Sequence, residues 1–263
     1  MNENIADCEI NYETVSITCP YCNKQKEYNI VSELKCKDFN IDTSIKCHYC
    51  GNLFFVNEEL INLPYQVIYF DALKFNQNKQ YMQTIISLCT SYEMFFMHVL
   101  RLFLTQEILI GLSEYERKIY NKELNSLLET VVKKFAFSKM LNEFIKFFIY
   151  KESKQKINYE ESKNYITQMN GRKNYKINDI KKISNSKLRN KLIVLSCMDK
   201  KDMLINNIRN KVAHKLGYRP TKDETEKEIK IAKNIIFGFA SILNLLEIEN
   251  AYRLNRNYET NYN

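Results

Sequence analysis

Two cysteine pairs near the start of the chain place the strongest constraint on what it can fold into. The pairs are Cys19-Pro20-Tyr21-Cys22 and Cys47-His48-Tyr49-Cys50, with 24 residues between them. Two Cys-x-x-Cys turns at this separation can arrange four thiolates tetrahedrally around Zn²⁺. The alternative, a redox-active Cys-x-x-Cys motif, would account for one of the two cysteine pairs but not for both. The sequence therefore predicts one structural Zn²⁺ per chain, with no coordination position open for catalysis. Its ligands are Cys19, Cys22, Cys47 and Cys50.

Short strand patterns flank both cysteine pairs, at residues 15–18, 27–31 and 53–56. Gly51, directly after the second pair, permits the left-handed turn that aims backbone N–H groups at sulfur. His48 could in principle replace a cysteine, but four sulfurs suffice, and Cys8 and Cys36 are interpreted as non-ligands. We therefore predict a small β zinc ribbon over residues 1–62.

The rest of the chain is predicted to be helical. With only 5 Gly and 3 Pro among 263 residues, long helices with few turns are favoured. Pro64 marks the boundary after the ribbon. Ser113 and Thr221 are candidate N-caps, and Glu224 completes a capping box with Thr221. The fold class is thus mainly α, with a helical domain over residues 63–263. Apolar residues at helical spacing predict helices over about Gln77–Ile110, Glu114–Phe135, Ser138–Tyr150, Leu188–Lys215 and Asp223–Tyr252.

The formal net charge of +8 is unevenly distributed. Residues 1–62 carry five Lys against ten Asp and Glu, a net −5, whereas residues 63–263 carry 34 Lys and Arg against 21 acids, a net +13. Such a basic body is a candidate for RNA binding, and the acidic ribbon suits a protein partner better than phosphate.

The most basic stretch is an insertion at about residues 151–191, with 12 Lys and Arg against 4 acids. Tyr159, Tyr165 and Tyr175 interleave with these charges. Two interpretations stay open: a surface that follows a phosphate backbone and stacks bases, or a solvated, partly mobile insertion between helices.

We expect a cytoplasmic protein that does not contact a membrane. The first residues lack the basic and apolar regions of a signal peptide. No apolar run approaches the roughly 20 residues of a membrane span, and the nearest is residues 237–246. In a reducing compartment the 8 cysteines are ligands or buried thiols rather than disulfides.

A polar, basic stretch, Ile208–Lys215, lies near the end of the helical region. At roughly 100° per residue, Leu204, Ile208 and Val212 share one side of a helix. Asn210 and His214 lie one turn apart on the opposite, outward side. Arg209 falls between the two sides, and its long side chain can turn its guanidinium outward.

Residues Arg209-Asn210-Lys211-Val212-Ala213-His214 resemble the Arg-x(4–6)-His signature of HEPN domains, small helical bundles many of which are metal-independent ribonucleases. The similarity covers about residues 200–246, and residues 77–151 only loosely, through Tyr92-Glu93 within a long helix. It implies a HEPN-like bundle with Arg209, Asn210 and His214 as catalytic residues. Glu93 would be a supporting acid near the active face.

The chemistry implied is cleavage of RNA through its own 2′-OH. This reaction needs a proton acceptor, a proton donor and a cation for the charge on phosphorus. His214 could serve as base or acid, Arg209 offers a fork that fits phosphate oxygens, and Asn210 could orient either. HEPN ribonucleases are understood to bring two such motifs to one composite site in a homodimer. The resemblance thus implies a homodimeric endoribonuclease that acts as a toxin or as an antiviral defence effector.

Several HEPN toxins carry a Tyr two residues after the motif His, which an antitoxin modifies. Here that position is Leu216 and the nearest tyrosine is Tyr218, which argues against this mode of control. Two other function classes stay open: a non-catalytic HEPN-like RNA or nucleotide binder, and a zinc-ribbon adaptor for protein interaction. His98, among aromatic residues, is interpreted as packed rather than catalytic.

Overall fold

The computed structural model of the chain describes residues 14–29, 33–34, 40–59, 64–154, 156–197, 205–215, 217–245 and 248. The protein is mainly helical, with a small β region in its N-terminal part. It divides into two compact units, Met1–Val67 and Ile68–Asn263.

The described part of the N-terminal unit consists of two antiparallel hairpins. Strand β1 (Thr14–Thr18) pairs with β2 (Gln25–Asn29), and β3 (Asn40–Lys46) pairs with β4 (Leu53–Glu59). Because side chains alternate along a strand, each hairpin turns one apolar set inward. These inward residues are Ile17, Tyr28, Ile45, Phe54 and Val56, which pack with Leu34 and two of the cysteines.

Strand β3 was not predicted from the sequence. In its sequence, Ile41, Thr43 and Ile45 alternate with polar residues, as in a half-buried strand. The other strands lie close to their predicted places, and β2 begins two residues earlier. The expectation of a small β region is confirmed.

The described residues form nine α-helices. Between α2 and α3 the chain passes through a π-helical turn, Leu102–Gln106, and a 3₁₀ turn, Glu107–Leu109. The helices are α1 (Pro64–Gln77), α2 (Tyr81–Arg101), α3 (Glu114–Val132), α4 (Phe137–Glu152), α5 (Tyr159–Gln168), α6 (Ile177–Lys181), α7 (Ser186–Cys197), α8 (Ile205–His214) and α9 (Lys222–Ile242).

Several helix boundaries differ from those predicted. Gln77 ends α1 instead of opening a longer helix, and Lys79, with φ of 59°, lies in the turn before α2. Pro64 begins α1, where its missing N–H is not needed. The predicted helix 188–215 is described as α7 and α8, with residues 198–204 outside the described residues.

Both predicted N-caps are confirmed. The hydroxyl of Ser113 accepts a hydrogen bond from the Glu116 N–H, and the Glu116 carboxylate accepts one from the Ser113 N–H. Thr221 and Glu224 form the same reciprocal pair at the start of α9. These caps fix where α3 and α9 begin, because they satisfy N–H groups that the helix itself leaves unpaired.

Helix α2 is the central helix of the second unit and packs against α4, α8 and α9. Its Phe96 lies against Phe144 of α4, with ring centroids 4.7 Å apart, and Phe144 meets Phe239 of α9 at 5.4 Å. All three rings are fully buried. This aromatic core fixes α2, against which α8 and its Arg-His motif are held.

Among the described residues, Tyr81–Leu109 is the one helical stretch that is long and apolar enough to cross a membrane, by length and composition alone. This stretch, and not residues 237–246 as expected from the sequence, is therefore the nearest approach to a span among the described residues. Much of it is buried inside the bundle, and a core helix meets the same criterion.

Candidate functional site

The four predicted metal ligands converge between the two hairpins. The sulfur atoms of Cys19, Cys22, Cys47 and Cys50 all lie within 4.8 Å of one another. Cys19 Sγ is 3.7 Å from Cys50 Sγ, and Cys22 Sγ is 3.7 Å from Cys47 Sγ. A tetrahedral site with metal–sulfur distances near 2.3 Å separates its sulfurs by about 3.8 Å. The spacing therefore fits a single four-coordinate metal ion.

The two cysteine turns have equivalent backbone geometry. The Cys19 N–H donates to the Lys24 carbonyl and the Cys47 N–H donates to the Asn52 carbonyl. Each turn is completed by a residue with positive φ, Asn23 at 55° and Gly51 at 74°. The predicted role of Gly51 is thus confirmed, and Asn tolerates the same conformation in the first turn.

Backbone N–H groups favour the thiolate form of Cys47. Those of Cys50 and Tyr49 point at Cys47 and lower the pKa of its thiol to about 6, and the Tyr49 nitrogen is 3.4 Å from the Cys47 sulfur. A backbone hydrogen bond from Lys24 has the same effect on Cys22, but burial and contact with the other sulfurs raise the pKa of the Cys22 thiol to about 12. A thiolate is the form that binds a metal. His48 is exposed, and Cys8 and Cys36 lie outside the described residues.

The predicted Arg-His motif lies on α8. Arg209 and His214 are exposed and Asn210 is partly exposed, whereas Ile205 is fully buried and Ile208 and Val212 are partly buried. The predicted separation into an inner and an outer side agrees with this burial, and Leu204 lies outside the described residues. The Arg209 guanidinium donates from Nη1 to Asn210 Oδ1 at 3.3 Å. Arg209 and Asn210 are thus in direct contact, and His214 follows Asn210 one turn later on α8.

Glu93, the predicted supporting acid, lies on α2 within the electrostatic reach of Arg209. Burial raises the pKa of the Glu93 carboxyl, while the Arg209 charge and a hydrogen bond from the Phe137 N–H oppose that rise. Burial likewise raises the pKa of the neighbouring Cys89 thiol, with Glu93 adding to the rise and Arg209 opposing it. The inner side of the motif therefore faces a half-buried acid and a buried thiol.

Sequence reasoning missed a buried polar pair between α2 and α9. Tyr92 is fully buried and Glu228 is 2% exposed. Neither the Tyr92 hydroxyl nor Glu228 Oε2 has a hydrogen-bond partner among the residues that the structure describes. Glu228 shares the inward side of α9 with Thr225, Ala232 and Ile235, so the helical spacing of these residues was the available signal. Burial raises the pKa of Glu228 to about 7.

Replacing Glu228 with Gln is expected to stabilise the helical unit at pH 8 more than at pH 5. The pKa is about 7 in the fold and 4.5 for the free group, so between these values the unfolded chain loses a proton that the folded chain keeps. Stability therefore falls as pH rises through this window and stays low above it. The full effect is about 3 kcal/mol, measured as the free energy of unfolding in urea at both pH values.

The matched control is Glu226→Gln, on the same helix with a partly exposed side chain paired to Lys222. This change removes the same charge without relieving a buried carboxyl. If the free energy of unfolding depended on pH equally in wild type and in Glu228→Gln, the buried Glu228 carboxyl would not be the source of that dependence.

The basic insertion is a folded part of the helical unit. The Ser162 hydroxyl of α5 donates to the Leu104 carbonyl in the π-helical turn. The N–H groups of Asn170 and Gly171 donate to Glu143 Oε1 on α4, at 3.0 and 2.6 Å. These hydrogen bonds hold the described residues of the insertion against α4 and the π-helical turn. Buried apolar residues complete its packing: Ile157, Ile166, Met169, Ile180 and Ile183.

The three tyrosines of this insertion are engaged within the chain. Tyr159 stacks on Tyr120 with centroids 4.1 Å apart. Tyr165 packs against Tyr150, at 4.8 Å. The Tyr175 hydroxyl lies 3.3 Å from Asn142 Oδ1. The contacts of Tyr159 and Tyr165 cover ring faces that base stacking would need, so they weaken the idea that the insertion is a stacking platform.

Comparisons with protein-family models, with curated proteins and with solved structures give no match to this chain. The functional assignment therefore depends on the chemistry of its own residues.

Proposed function

We propose that this protein is a metal-independent endoribonuclease of HEPN type, which cleaves RNA by attack of a ribose 2′-OH at a site shared by two copies of the chain. Its N-terminal unit binds one structural Zn²⁺ through the four clustered cysteines. The observation that carries the nuclease proposal is the exposure of Arg209, Asn210 and His214 on α8, with Arg209 and Asn210 in contact. A role as a toxin or antiviral effector is part of the same proposal.

Each side chain of this group has a distinct chemical use. The His214 imidazole can accept the 2′-OH proton or return one to the 5′-oxygen. The Arg209 guanidinium keeps its charge and can donate to two phosphate oxygens, which stabilises the charge that builds up on phosphorus. Asn210 already accepts from Arg209 and can hold that guanidinium in place.

The surroundings of the motif favour a polyanion. Lys211, Lys215 and Arg219 are all exposed around it. The nearby Glu224 carboxylate is engaged by the Tyr218 hydroxyl at 3.0 Å and by the Thr221 N–H at 2.8 Å. Cations thus outnumber available carboxylates here, an arrangement that attracts phosphate in a salt-dependent way.

The test is to incubate the purified chain with total RNA and with transfer RNA in EDTA. We expect cleavage products ending in a 2′,3′-cyclic phosphate, since the 2′-OH is the nucleophile. His214→Ala, purified identically, controls for contaminating nuclease, and full activity in that variant would overturn the proposal. Binding without cleavage would favour the non-catalytic RNA binder.

A second candidate is a protein-interaction adaptor acting through the zinc ribbon. Four large apolar side chains of this unit, Tyr21, Tyr49, Leu53 and Phe55, are each more than half exposed. Leu53 and Phe55 share the outward side of β4, and exposed apolar groups of this kind mark protein contacts. The ribbon is acidic, so its partner would be a basic protein. Failure of the chain to bind RNA at low salt would favour this adaptor.

A further inference from the structure

A cavity with an apolar floor opens at the end of the helical unit where α2 and α9 finish. Its volume is about 380 Å³, within the range of small-molecule sites. Glu93 of α2, whose pKa burial raises and the Arg209 charge lowers, precedes the cavity-lining Phe103 of the following π-helical turn by ten residues. This separation is a rise of roughly 15 Å along the helix. The cavity is therefore separate from the α8 motif. Its apolar lining consists of Phe103, Ile108, Phe148, Ile157, Leu188 and Leu243.

An unusual backbone segment forms one wall. The chain leaves α2 through the π-helical turn Leu102–Gln106 and the 3₁₀ turn Glu107–Leu109. Phe103 of the π-helical turn and Glu107 of the 3₁₀ turn line the cavity. A π-helical turn has weaker hydrogen bonding than an α-helix and occurs often at functional sites. Here the Leu104 carbonyl is satisfied from outside the helix by the Ser162 hydroxyl. A hydrogen bond from α5 thus stabilises this less favourable turn at the place where the turn forms the cavity wall.

Most of the charged side chains at the rim of the cavity are paired within the chain. Lys151 pairs with Glu107, and its ammonium lies 4.1 Å from the centroid of the Phe103 ring. Lys154 pairs with Glu161 at 2.7 Å.

The carboxylate of Glu152 accepts a hydrogen bond from the Ser184 N–H at 2.9 Å. Lys156 also lines the cavity, is exposed, and has no ion-pair partner among the residues that the structure describes. One ammonium group is therefore available beside an apolar floor.

We propose that this cavity binds a small organic anion with an apolar body, whose hydrocarbon part packs on Phe103, Phe148 and Leu243 while its anionic group pairs with Lys156. Burial of the hydrocarbon supplies most of the affinity. The ammonium selects anions over neutral or cationic molecules of the same length. This inference does not depend on the proposed nuclease activity, because no residue of the α8 motif takes part.

The test uses octanoate as the probe and isothermal titration calorimetry of the full-length, zinc-loaded protein. We expect saturable binding of octanoate in the millimolar range or tighter, and weaker binding of octanol and octylamine. Lys156→Gln should weaken octanoate binding roughly fivefold or more, the loss of one charge-assisted contact. Lys230→Gln is the matched control, because it removes an exposed lysine of α9 that does not line the cavity.

A second variant tests the floor independently of charge. Leu243 is partly exposed at the end of α9, so Leu243→Trp should fill the cavity without disturbing the fold and abolish octanoate binding. Circular dichroism of each variant verifies folding. Absence of saturable binding to wild type would overturn the proposal, as would equal affinity for octanoate and octanol, or equal affinities in Lys156→Gln and Lys230→Gln.

Discussion

A ninefold excess of His214→Ala chains, refolded together with wild-type chains, is expected to lower RNA cleavage per wild-type chain about tenfold, because only one wild-type chain in ten then pairs with another. The expectation follows from the composite-site proposal, in which each active unit needs both copies of the motif. Measurement is by initial cleavage rate with RNA in large excess over total protein, so that the variant cannot compete for substrate.

The chemical reason is that one copy of α8 carries one imidazole, while the reaction moves protons at two oxygens. A two-fold axis places the same surface opposite itself, so the two His214 side chains can take the two roles. The two Arg209 guanidinium groups would then face one another and repel. An entering phosphate would relieve that repulsion, so the proposed dimer cleft would be a strong anion site.

Two controls separate this idea from simpler ones. Wild-type and variant chains mixed immediately before the assay have not exchanged subunits, so their rate should equal that of wild type alone. Arg209→Ala should act as His214→Ala does in the refolded mixture, with the dimer intact by sedimentation. If the cleavage rate per wild-type chain stayed the same with and without the excess of inactive chains, the result would contradict a shared site.

Local patterns in the sequence predicted local structure well. Ser113 and Thr221 are caps because a hydroxyl three residues before a Glu satisfies N–H groups within one turn, and no distant contact is needed. Each Cys-x-x-Cys turn likewise places its own two sulfurs by a short-range rule. The meeting of the two turns is long-range, and it was predicted because the motif is repeated at the separation of a four-thiolate metal site. The exposure of His214 agrees with the outward side that helical spacing gave it, whereas helical spacing placed the exposed Arg209 between the two sides.

In the helical unit, features that depend on partners distant in the chain were not predictable, because no repeated motif marks those partners. Tyr92 and Glu228 are polar residues that become buried only when α2 and α9 meet, 136 positions apart along the sequence. The tyrosines of residues 151–191 looked available for bases, but Tyr159 instead stacks on Tyr120 of α3. The chemical properties of these side chains can be read from the sequence. Which residues surround them depends on how the helices pack.

Replacing Cys50 with Ser is expected to remove the metal and to unfold the N-terminal unit, while the helical unit keeps its structure. Structural zinc sites carry apparent binding free energies of roughly 10 to 16 kcal/mol, and that energy is folding energy for so small a unit. The described core of this unit holds few large apolar side chains, Ile17, Tyr28, Leu34, Ile45, Phe54 and Val56. Elemental analysis should give one zinc per wild-type chain and far less in the variant.

The structural outcome can be followed separately in each unit. Amide resonances of β1 to β4 should collapse to unfolded positions in Cys50→Ser, whereas those of α2, α4 and α9 should stay, because the aromatic core of the helical unit contains no metal ligand. Cys197→Ser is the matched control, since this partly buried thiol of α7 is not in the cluster. A wild-type protein that is folded throughout with substantially less than one zinc per chain would refute the metal assignment. If the helices also melted in Cys50→Ser, the two units would not be independent in stability, because a metal held by the first would then be supporting the second.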